Sequence, residues 1–161
     1  MNRWASQILR VRSGGQTGAD RGALDAARAC RVPILGWCPM GGWAEDLPFP
    51  PGVRTLYPEL MPTPSLDPDD RTRRNVIDSD ATLIVRLPGV RSPGSDLTLR
   101  VATLHRRPVL VCEGSDVAAV RGWLASLGGP VELNVAGPRE SESPGSYSRT
   151  RALLTALLTT G

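Results

Sequence analysis

Five short apolar runs rich in β-branched residues punctuate the chain: Ile8 to Arg12, Ile34 to Trp37, Ala81 to Leu87, Pro108 to Cys112 and Val131 to Val135. Runs of this length and content read as buried strands. Between and after them lie segments that read as helices, roughly Gly18 to Cys30, Asp69 to Ile77, Ser95 to His105, Asp116 to Leu127 and Ser146 to Thr159. Leu24, Ala27 and Cys30 give the first an apolar stripe, and Leu153, Leu154, Leu157 and Leu158 give the last a stronger one. Strands alternating with helices predict an α/β fold with a mainly parallel sheet on which these helices pack.

One segment breaks the alternation. From Pro39 to Pro68 there are eight prolines, counting both ends, so no long helix fits. The segment reads as a long irregular excursion, with room for a short strand near Thr55 to Tyr57, and excursions of this length inside a domain are often functional. The 161 residues suit one domain spanning 1–161, with 40% hydrophobic and 22% charged residues, a globular composition. No apolar stretch reaches bilayer length, and the N-terminus MNRWASQILRVRSGG lacks a signal-peptide core, so a cytoplasmic location is expected. Cys30, Cys38 and Cys112 form no C-x-x-C pair and read as small buried apolar groups in a reducing compartment.

Charge narrows the partners. The net charge is +3, and all 19 basic residues are arginine. They are scattered, without a basic run and with only 4% aromatics, which is poor material for nucleic-acid binding but suits recognition of single phosphates. His105 is the sole histidine, so a histidine-based metal site or catalytic triad has little to build on.

The main local signal is SGGQTGAD, Ser13 to Asp20, which follows a strand and opens a helix. Gly14, Gly15 and Gly18 permit close approach to the backbone, amides at the helix start can bond an anion, and Thr17 can add a hydroxyl. The spacing is neither the dinucleotide fingerprint nor a Walker loop, and a tight strand-to-helix turn explains it equally well. Asp20 would repel a phosphate unless a ribose hydroxyl or a metal intervened.

Ligands of open parallel sheets bind outside the carboxyl ends of the strands, which directs attention to the other loops that follow strands. Trp37 to Asp46 carries Trp37 and Trp43, which are either an aromatic rim for a ligand ring or packed core groups. Pro88 to Thr98 sets Gly94, Ser95 and Thr98 at a second helix start, a further anion site. Asn134 to Ser146 carries Gly137, Arg139, Glu140 and Ser141, with Arg139 as a fork donor. Arg71 and Asn75 share one helical face, while Asp78 and Asp80 precede the next strand and are assigned to structure at the opposite edge of the sheet.

With these loops set out, the sequence resembles the putative molybdenum carrier family, in the superfamily of the LOG and DprA proteins. The resemblance rests on GGQTGAD at Gly14 to Asp20, GWCP at Gly36 to Pro39 with AED at Ala44 to Asp46, RTRRNVIDSDATLI at Arg71 to Ile84, and LNVAGPRES at Leu133 to Ser141. It covers nearly the whole chain. It implies a Rossmann-like three-layer sandwich, a phosphorylated nucleotide-like or pterin-phosphate small molecule such as molybdenum cofactor, and self-association as a homo-oligomer.

Two departures stand out. Where family members carry lysine or arginine after GWCP, this chain has Met40, Gly41, Gly42 and Trp43; the family's G-G-T-x-L-T is Pro93 to Thr98 here, with Asp96 positioned for a ribose or a metal. Relative to the LOG phosphoribohydrolases, Val101 stands at the position of the glutamate that takes part in cleaving the N-glycosidic bond. Three functions remain open at this point. They are a binder or carrier of a phosphorylated ligand, a nucleotide hydrolase or transferase using Glu140 or Asp20 as acid or base, and DprA-like handling of nucleic acid.

Overall fold

The computed structural model describes residues 7–159; the first six residues of the N-terminal stretch read for a leader and the last two residues of the expected domain lie outside them. Strands β1 (Ile8–Arg12), β2 (Ile34–Leu35), β5 (Ala81–Arg86), β6 (Val109–Glu113) and β7 (Val131–Ala136) form one all-parallel sheet in the order β2-β1-β7-β5-β6. The remaining two strands, β3 (Trp37–Cys38) and β4 (Met61–Pro62), form a separate parallel pair. A parallel sheet covered on both faces requires near-continuous apolar strands, and β5 is buried from Ala81 to Val85.

Successive strand residues point to opposite faces. Leu83 and Val85 join a cluster built with α1 (Ala19–Ala29), α4 (Val117–Ser126) and α5 (Ser146–Thr159), including Ala23, Ala27, Leu124, Leu153 and Leu157. The alternate residues Thr82 and Ile84, equally buried, turn to the face of α2 (Pro68–Asp78) and α3 (Pro93–Leu104), which pack on each other through Val76, Leu97, Val101 and Ala102. The result is a Rossmann-like three-layer sandwich, as the alternating pattern and the resemblance both imply. No helix among the described residues is long and apolar enough to cross a membrane.

Four elements depart from the sequence reading. The run Ile34 to Trp37 is cut at Gly36, whose φ of 148° and position, with Ser13 O 1.9 Å from where a Cβ would sit, send the chain out of the main sheet into β3. The extra strand is Met61–Pro62, whereas Gly52–Thr55 is a 3-10 turn. Helices α2 and α3 begin earlier than expected because Asp67 and Ser92 cap them, each followed by proline in the first turn.

The excursion 39–68 has a small core of its own, in which Cys38, Ala44, Val53, Tyr57 and Leu60 pack against Leu24 of α1. The strand order also carries a positional message. Counted from β7 as first, it becomes 3-2-1-4-5, the doubly wound order in which connections diverge from the first strand. That divergence lies at the carboxyl ends of β7 and β5.

Candidate functional site

At that point the structure has a cleft of about 150 Å³. Its floor is the end of β7, from Asn134 to Gly137; its sides are Gly14, Gln16 and Asp20 on the glycine loop, Asp69, Arg71, Thr72 and Asn75 on α2, and Ser92, Gly94 and Thr98 at the start of α3. Arg139 and Glu142 form the lip. Nine residues anticipated from sequence thus line one cleft: Gly14, Gln16, Asp20, Arg71, Asn75, Gly94, Thr98, Gly137 and Arg139. Ser92, Asn134, Asp69, Thr72 and Glu142 are additions that the sequence reading did not single out.

The centre of the cleft is an ion pair. Arg71 Nη1 lies 2.9 Å from Asp20 Oδ2, with the two side chains 13% and 8% exposed. The guanidinium occupies the place of a missing side chain, 1.9 Å from where a Cβ on Gly14 would sit. Asp20 also accepts from Gln16 N at 3.3 Å. The repulsion that Asp20 would offer an anion is therefore balanced by Arg71 within the cleft.

The two helix starts differ in what they present. At α1, Thr17 N donates to Gln16 Oε1 and Ala19 N donates to Pro138 O, so these amides are used internally. Gly15, with φ 80°, faces away from the cleft, and a Cβ there would meet Leu60 Cδ1 at 2.8 Å. At α3, Ser92 Oγ caps Ser95 N at 3.2 Å, burying Ser95, whereas a Cβ on Gly94 would meet nothing within 4 Å. The positive end of α3 is the one open to a ligand.

A second network braces the lip. Glu45 accepts from Thr17 Oγ1 and, at 2.7 Å, from Ser141 Oγ, and lies 3.9 Å from Arg139 Nη1; its own amide donates to Gln16 Oε1. Partial burial would raise the Glu45 carboxyl, but the hydrogen bonds from Thr17 and Ser141 and the charge of Arg139 outweigh it and hold the group below the usual glutamate range. Arg139 rests over the ring of Trp43 at 5.4 Å. Gly18 belongs to the same junction, its Cα facing Pro138 O.

Other candidates have structural partners. Both Glu140 oxygens accept from amides at the start of α5, from Gly145 N at 2.5 Å and Tyr147 N at 2.9 Å. Asn75 clamps β3, accepting from Trp37 N and donating to Trp37 O. The Trp37 indole donates to Asp78 and is covered by Arg74, and neither Trp37 nor Trp43 lines the cleft. Asp80 accepts from Glu132 N at the start of β7. Asp96 pairs with Arg91 on the surface, and Val101 is a core residue.

Among the described residues no three His, Cys, Asp or Glu side chains converge as metal ligands. Burial pushes the thiols of Cys38 and Cys112 up, away from the thiolate form that binds metal.

Comparison with known proteins bears on this arrangement. A crystal structure of a putative molybdenum carrier protein from Syntrophus aciditrophicus is similar, with a TM-score of 0.84 and 34% identity over 96% of this chain and 97% of that one. No curated protein shows significant similarity to the chain. Residues 11–158 match the family described as the circularly permutated YpsA SLOG family. The sheet agrees with that description, since β7 stands where the first strand of the unpermuted order would be. The chain belongs to the circularly permuted YpsA SLOG family.

Proposed function

We propose that the cleft binds the phosphate end of a nucleotide-like small molecule and that the protein is a binder or carrier of it. The observation that carries this reading is the open N-terminus of α3 at Gly94, facing Arg71 and the lip residue Arg139 across the divergence of the sheet. The volume fits that role. Pockets for whole drug-sized ligands run from about 300 Å³ upward, so a cleft of about 150 Å³ holds the anionic end while the rest extends outward.

Molybdenum cofactor is a candidate cargo, supported by the similar protein described as a putative molybdenum carrier protein. The residues fit its phosphate, through Arg71, Arg139 and the Gly94 amide at the start of α3, but supply no set of metal ligands. The metal would have to travel on the cofactor's own ligands. A binder is favoured over a hydrolase because both Glu140 oxygens are engaged at α5, Asp20 is paired with Arg71, and Val101 has no proton to exchange.

Calorimetry with adenosine monophosphate and adenosine tests the reading, with mass spectrometry of copurifying small molecules alongside. One charge-assisted hydrogen bond contributes about 1.5–3 kcal/mol, so Arg139→Ala should weaken the monophosphate by about tenfold to a hundredfold and adenosine far less. Equal losses for the two would assign Arg139 to its loop alone and overturn the phosphate contact.

A further inference from the structure

A second hollow lies on the other side of the glycine loop. Its volume is about 460 Å³, and it shares no lining residue with the cleft. Asp25 of α1 stands in it between two phenols, accepting from Tyr57 on one oxygen at 2.7 Å and from Tyr147 on the other at 2.5 Å. Burial and the neighbouring carboxylate hold both phenols protonated well beyond neutral pH, so they remain donors to Asp25. The exposed face of Leu56 and the stem of Arg21 complete the apolar wall.

The charges around this hollow differ in how firmly they are held. Arg21 is fixed, bonded to Gly15 O and to both oxygens of Asp46. Arg28 has partners of the same kind, donating to Leu56 O and to both oxygens of Glu59 and lying over Tyr57 at 5.0 Å, but it meets solvent far more: its side chain and that of Glu59 are 44% and 42% exposed, against 12% for Arg21. An exposed pair of this kind contributes little, so a ligand anion can replace Glu59 without a large penalty. Arg151, four residues along α5 from Tyr147 and beside its hydroxyl, brings a further cation to the rim.

We infer that this hollow is a second binding site, for a small aromatic anion: an arene carrying a carboxylate or phosphate. The ring lies against Leu56, Tyr147 and the arginine stems, and the anion takes Arg28 from Glu59. Carboxylate and phosphate share this chemistry, and the volume lies within the range of small-molecule pockets. The site is independent of the ligand proposed for the cleft.

The chain's only two tyrosines are Tyr57 and Tyr147, so a protein labelled in its tyrosine rings gives NMR signals from this hollow alone. Titration with benzoate and with phenyl phosphate should move both signals along one saturable curve, at least one of the two anions binding with a dissociation constant of about 1 mM or tighter. Arg28→Met, an exposed change that leaves the core intact, should weaken binding about tenfold. Glu59→Gln should tighten it several-fold by releasing Arg28. Three results would each overturn the site: no movement of either signal by either anion, equal movement by inorganic phosphate, or unchanged affinity in both variants.

Discussion

The pair between Arg71 and Asp20 invites a quantitative test, because it is the most enclosed ion pair in the cleft. Replacing Arg71 with methionine leaves the Asp20 carboxylate, 8% exposed, with only the 3.3 Å bond from Gln16 N. Breaking a buried pair by removing one partner costs about 3–5 kcal/mol, and the cleft's contact with solvent argues for the low end, about 3 kcal/mol. In a domain of this size that lowers Tm by about 6–12 °C. Asp20→Asn strands the better-exposed partner and should cost about 2 kcal/mol. The double variant removes both charges and keeps an acceptor for Gln16 N, so it should cost about 2 kcal/mol rather than the additive sum of about 5. Urea denaturation of the four proteins, at a constant m-value, measures each quantity. An Arg71→Met loss below about 1 kcal/mol, or a double variant equal to the sum, would refute the claim that Arg71 balances the buried Asp20 charge.

Two further outcomes follow from the loops around the cleft. Glu140→Ala should lose about 2 kcal/mol by uncapping α5, and Glu140→Gln less, because one acceptor survives; stability unchanged in urea melts of Glu140→Ala would reopen Glu140 to catalysis. Glu45 is held below its ordinary value of about 4.3, so its contribution is present above that pH and fades as pH falls through the lower folded-state value. Urea midpoints should therefore decline between about pH 5 and 3 and decline less steeply in Glu45→Gln, and parallel curves for the two proteins would show that the Glu45 network contributes nothing.

The order of strands and helices is legible because short apolar, β-branched runs alternate with longer segments, of which α1 and α5 carry apolar stripes. The start of α3 is encoded by Ser92-Pro93, a cap followed by proline, two residues before the Ser95 that the glycine-serine pair suggests. The glycine loop shows where chemistry and packing diverge. Its letters suggest ligand contact throughout, yet Gly14 makes room for Arg71 and Gly15 makes room for Leu60, and only contacts between distant segments separate those roles. The part played by Glu45 was hidden for the same reason, since its partners Thr17 and Ser141 lie 28 and 96 residues away. Nor does local pattern reveal that β7 belongs at the middle of the sheet, between β1 and β5.

That central position of β7 has a consequence for synthesis on the ribosome. As the chain emerges, β1 can pair with β2 and β5 with β6, giving two separate two-stranded ribbons whose common neighbour has yet to be translated. Two-stranded pieces of sheet are at best marginally stable in water, and distant pairings are slow to close. The nascent protein therefore remains uncommitted until residues 131–136 leave the tunnel. The floor of the cleft arrives with the end of this strand and Gly137, so the act that welds the halves together also completes the cleft.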